Sequence, residues 1–66
     1  MRYEFIVAGS LSEADEAELP ELSCAPYPTG GTTLFGQVQD ESDVLTVLAR
    51  ISGLGLPVIE MRRLPD

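Results

Sequence analysis

The stretch Asp40–Leu64, DESDVLTVLARISGLGLPVIEMRRL, carries the plan on which the rest of the chain is built. Asp40 is placed to cap a helix, with Asp43 at the third helical position in a variant of the capping box. Val44, Leu45, Val47, Leu48 and Ile51 then recur at the three-and-four spacing that makes one broad apolar stripe. Gly53 or Gly55 supplies a left-handed stop. Pro57 opens a final strand, PVIEMRRL, in which Ile59 and Met61 oppose Val58, Glu60 and Arg62.

Upstream, residues 2–8, RYEFIVA, alternate as a strand with Tyr3, Phe5 and Val7 on one side and Arg2, Glu4, Ile6 and Ala8 on the other. Both sides carry apolar residues, as expected of an interior strand. LSEADEAEL follows, with Ser12 as N-cap, acids crowding the first turn and a thin apolar side of Leu11, Ala14, Ala17 and Leu19. A looped or 3₁₀ segment is the alternative over residues 11–19. Residues 21–27, ELSCAPY, read as an edge strand, because Pro26 has no N–H to give a ladder. The turn Pro28–Gly31 links it to TTLFGQVQ as a hairpin.

The order β-α-β-β-α-β in one domain, residues 1–66, predicts an α+β ferredoxin-like two-layer sandwich. Its antiparallel sheet takes the order 4-1-3-2, with a short first helix and a longer second helix on one face. Pairing the first and last strands with Phe5 opposite Met61 and Val7 opposite Ile59 sets Glu4 opposite Arg62, a favourable pair on the other face. A one-residue slip would strand Glu4 among apolar side chains.

Composition narrows the function. The formal charge is −7, from eleven acids against four arginines, with no lysine or histidine. Such a balance repels phosphate and anionic lipid, so neither nucleic acid nor membrane is the expected partner. Glu13, Asp15, Glu16, Glu18 and Glu21 read as a solvated helix face that keeps a small protein soluble. The opening Met1-Arg2-Tyr3-Glu4 interrupts the apolar run that a signal peptide needs, and no segment approaches the roughly 20 apolar residues of a membrane span. A cytoplasmic location is expected. A core this small gains from extra burial by oligomerisation, and the lone Cys24 cannot supply an internal disulfide.

No catalytic, cofactor or metal site is read from the residues. Histidine is absent, and Cys24 has no neighbouring cation to favour its thiolate, which fits a small buried hydrophobe better than a nucleophile. The pairs Glu13/Glu16 and Asp40/Asp43 are accounted for by helix capping, and Asp40, Glu41 and Asp43 lack the spacing of a calcium loop. PTGGTT (28–33) lacks the phosphate-loop pattern and leads into a strand, so a hairpin turn explains it. If the long helix packs on Phe5, Val7, Leu34, Val38, Ile59 and Met61, the opposite sheet face carries Glu4, Ile6, Ala8, Phe35, Gln37, Val58, Glu60 and Arg62. That mixture of apolar and charged groups marks a candidate interface.

RYEFIVAG (2–9) and TTLFGQVQDESDVLTVLARISGLGLPVIEMRRLP (32–65) resemble a group of short uncharacterised actinobacterial proteins. These share an opening RY-strand, a strand ending in acidic caps, a Leu-rich helix and a closing GL-x-[VL]-[IL]-E-[MV]-R-x-L-P. The resemblance covers most of the chain apart from the acidic segment 11–21, agrees with arginine without lysine from a GC-rich source, and implies no activity. In architecture the chain is also similar to ACT-type regulatory domains, which pair through sheets or strands and bind small effectors. The expected function is a non-catalytic interaction module that homodimerises or docks a protein partner through the helix-free sheet face or a strand edge. An ACT-like domain binding a small-molecule ligand is the alternative, and a small dimeric α+β-barrel enzyme comes third.

Overall fold

Both helices start at a side-chain cap. Ser12 Oγ accepts from the Asp15 N–H, and Asp15 returns the bond to the Ser12 N–H. Asp40 accepts from the Asp43 N–H at 2.9 Å, while the Asp43 carboxylate reaches one residue further back, to the Gln39 N–H. The long helix ends in a Schellman turn, with Gly55 at φ 76° and the N–H groups of Gly55 and Leu56 donating to Ser52 and Ile51. Gly55 takes the left-handed position, and Gly53 is the last helical residue.

The computed structural model describes residues 1–65. Its elements are β1 (Arg2–Val7), α1 (Glu13–Ala17), β2 (Leu22–Pro26), β3 (Thr32–Gln37), α2 (Glu41–Gly53) and β4 (Val58–Leu64). The strands make one antiparallel sheet in the order β2-β3-β1-β4, the expected order read from the other border. Proline-bearing β2 is at one edge and β1 is inside.

Phe5 and Val7 of β1, Leu22 of β2, Leu34 of β3 and Val38 beyond it pack with Val44, Val47 and Ile51 of α2. Leu19, just past α1, joins the same core, with Leu11 and Cys24 packed against it. Ala14 and Ala17 are exposed, so α1 is anchored by the residues flanking it. Leu45 is exposed too, and the buried stripe of α2 is narrower than the spacing implied.

Two expectations about β4 are corrected. Glu4↔Arg62 and Phe5↔Met61 pair as predicted, but the register shifts next to them and Val7 pairs with Val58 instead of Ile59. This bulge takes Ile59 out of the core, leaving it 64 % exposed, and Met61 is 42 % exposed despite lying opposite Phe5. The cause is geometric. A helix about 10 Å across covers about two strands set ~4.8 Å apart, and the core closed by α2 takes side chains from β1, β2 and β3, with no described residue of β4 among its buried members.

The β2–β3 link is held by Tyr27 and Gly31, whose backbones bond at 3.1 Å, and by Thr32 Oγ1, which donates to the Gly9 carbonyl at 2.8 Å. Gly31 has φ 92°, and a Cβ placed there would collide with the Val7 carbonyl oxygen. Gly30 has φ 100° with open space around it. Gly31→Ala should therefore cost about 2 to 4 kcal/mol and Gly30→Ala about 1 kcal/mol, compared by chemical denaturation, because only the first adds a clash to the backbone strain.

Candidate interaction surface

The register sorts the expected interface residues. Glu4 and Ile6 of β1 lie opposite Phe35 and Thr33 of β3 on one side and Arg62 and Glu60 of β4 on the other, so all six share the face away from Phe5 and Val7. Gln37, opposite Arg2, belongs to it as well. Ala8 follows β1, and its N–H donates to the Pro57 carbonyl. Val58 does not join them: it pairs with Val7, and the bulge sets it on the core side.

This face offers a partner less apolar surface than its composition promised. Ile6 is only 3 % exposed, flanked by Thr33 and Glu60 and diagonally by Phe35 and Arg62, and Phe35 is half-buried. Arg62 Nε donates to Glu4 Oε1 at 2.8 Å, closing the β1–β4 half of the face, and the Glu4 side chain is only 16 % exposed. The face is thus largely satisfied by its own cross-strand pairs.

Exposed large hydrophobes instead gather on β4, where Val58, Ile59 and Met61 are all exposed, with Leu45 of α2 the remaining one among the described residues. β4 forms the border of the sheet, and its strand neighbour there is β1. A border strand presents outward N–H and C=O groups along its free side. Seven residues, Val58–Leu64, form it without an internal proline, against five in β2, which ends on Pro26. The charges also differ at this border. Arg62 and Arg63 belong to β4 and Arg2 pairs with Leu64, so three of the four arginines of an acidic chain are gathered here. The signal available in the sequence was the strand order itself: a last strand at the border, with one long helix, cannot have both Ile59 and Met61 covered.

The family model of a domain of unknown function, DUF8691, matches residues 2–62. The chain belongs to that family. No curated protein and no solved structure matches this DUF8691 domain. Among its described residues no helix is long and apolar enough to cross a membrane.

Elsewhere on the described surface, two open depressions stand out. One, of about 530 Å³, lies between Met1, Glu21, Gln37 to Gln39 and Asp43. The other, of about 290 Å³, is lined by Leu11, Glu16, Cys24, Pro26 and Thr32 among others. Burial pushes the Cys24 thiol up from its ordinary pKa, and the Glu16 carboxylate adds to the rise by its charge and by accepting a hydrogen bond. The thiolate is thereby disfavoured at neutral pH.

Two outcomes are expected. Cys24 should alkylate with iodoacetamide more slowly than a free thiol at pH 7 to 8, and Glu16→Gln should speed it, moving the rate profile to lower pH, since the carboxylate charge that opposes the thiolate disappears. Arg62→Ala should leave Glu4 covered without its partner and lower the unfolding free energy by about 0.5 to 1 kcal/mol in denaturant melts, with a smaller loss at high salt.

Proposed function

We propose that this DUF8691 domain is a non-catalytic interaction module that docks a protein partner along the β4 border, by adding a strand to the sheet. The observation that carries the reading is the coincidence of a free sheet border with exposed Val58, Ile59 and Met61 on one seven-residue strand. Main-chain bonds along such a border supply affinity, and side chains at alternate positions supply selection. The local arginines favour a partner strand with acidic residues, while the net charge of −7 disfavours nucleic acid and anionic membrane. The opposite sheet face is the weaker candidate, because Ile6 and Phe35 are already covered there.

The architecture behind this reading is a ferredoxin-like sandwich with both helices on one face. It is supported by the strand order and by α2 and Leu19, which follows α1, entering one core. Such a sheet, extended at its border, is also how the similarity to ACT-type domains and to short actinobacterial proteins would be put to use. A cytoplasmic setting fits an unpaired cysteine. The second reading, a small-molecule regulatory domain, is favoured by the depression beside Cys24, whose volume approaches the lower end of the range for ligand pockets.

Titrating an isotopically labelled chain with extended peptides of alternating acidic and apolar residues tests the first reading. Amide resonances of Val58–Leu64 should shift and those of β2 and α1 should stay in place. Shifts confined to Ile6, Phe35 and Gln37, or to the lining of the Cys24 depression, would overturn it.

A further inference from the structure

We infer that β4 is self-complementary and that its partner is a second copy of the same chain, paired antiparallel across a two-fold axis at Met61. The inference rests on the reading of β4 as the docking border and adds the identity and register of the occupant. Residues directly opposite in an antiparallel pair share a face, so a two-fold axis normal to the sheet must pass through one residue position. The neighbouring centres are unfavourable. An axis at Glu60 sets two Glu60 carboxylates together, and an axis at Arg62 sets two guanidinium groups together. An axis at Met61 sets Glu60 opposite the partner's Arg62 twice, by symmetry.

The observed geometry accommodates that register. Glu60 lies opposite Ile6 and Arg62 opposite Glu4, which puts both on the same face, as a cross-copy pair requires. Arg62 meets Glu4 through Nε, and the terminal nitrogens of its planar fork are suited to a second carboxylate beyond it. A row of alternating sign, Glu4, Arg62 and the partner's Glu60, would then run across the joint. Met61, exposed on the single chain, would be covered at the axis. The bulge at Ile59 falls near the ends of the paired segment, where an irregular pair costs least. The acidic α1 segment and Glu21 adjoin β2, at the opposite border, so the charge of these residues is carried away from the joint.

Sedimentation equilibrium of the full chain, from micromolar to submillimolar concentration, should show a monomer–dimer equilibrium. Glu60→Arg and Arg62→Glu each place like charges at both symmetric pairs and should weaken the dimer about tenfold or more. Mixing the two variants makes every pair complementary again and should recover a mixed dimer close to wild-type affinity. Met61→Cys in a Cys24→Ser background checks the register without relying on charge: on mild oxidation it should form the intermolecular disulfide faster than Ile59→Cys, because only position 61 faces itself. Circular dichroism confirms that each variant is folded, and Glu60→Arg, at an exposed position, keeps the test available if Arg62→Glu does not fold. Faster cross-linking at 59 than at 61, or no rescue on mixing folded variants, would overturn the register. A monomer throughout the range would overturn self-pairing, while peptide-induced shifts at β4 would still report separately on the docking border.

Discussion

Phe5, fully buried in the middle of β1, is opposite Leu34 on one side and Met61 on the other, and it is the point where the sheet and α2 are joined. Removing that side chain from water is worth about 2 to 3 kcal/mol, a large share of the stability available to a 66-residue chain. Only an interior strand can use such a residue, since a border strand has one neighbour and a thinner cover. The requirement places β1 between β3 and β4 and sends the two crossovers over the sheet. It also determines what is left uncovered: thirteen helical residues in α2 and five in α1 close over one core and leave Val58, Ile59 and Met61 of the β4 border exposed.

The strand order, both N-caps and the pairing of Glu4 with Arg62 were legible from residue pattern, because each depends on local chemistry or on period-two alternation. The position of Pro26 identified one border. The fate of Ile59 was not legible. Alternation along PVIEMRRL puts Ile59 inward with Met61, and only the shift between Ile6 and Val7 brings Val58 opposite Val7 in its place. No residue type marks that bulge, which lies just after Pro57 and the Schellman turn at Gly55. The burial of Ile6 was not legible for a related reason. Ile6 looks available on a helix-free face, yet long cross-strand neighbours cover an aliphatic side chain on a central strand without any helix.

The charge distribution follows the same layout. Acidic residues in the first turn of α1 satisfy the helix dipole, and Glu21 accepts at both carboxylate oxygens from Nη1 of Arg50 of α2, each at 2.9 Å. Both groups on that contact are well exposed, so it contributes little stability but fixes the approach of α2 to the start of β2. The remaining arginines, Arg2, Arg62 and Arg63, are brought together by the pairing of β1 with β4. A chain that is acidic as a whole thus has a border where acid and base nearly balance.

That polarity bears on how any assembly would end. A chain with two equally open sheet borders can add copies without limit, head to tail, and grow into a fibre. Here the β2 border is five residues long, lacks a donor at Pro26, and adjoins the acidic α1 segment, which repels another copy of itself. The β4 border is longer, carries exposed apolar side chains and has neighbouring charges of both signs. Pairing of like borders consumes the open edge of both chains at once, whereas pairing of unlike borders would leave one open edge at each end of the stack. One blunted border and one open one therefore favour a closed pair over a filament, and the proline that first identified β2 as an edge strand is part of what makes the difference.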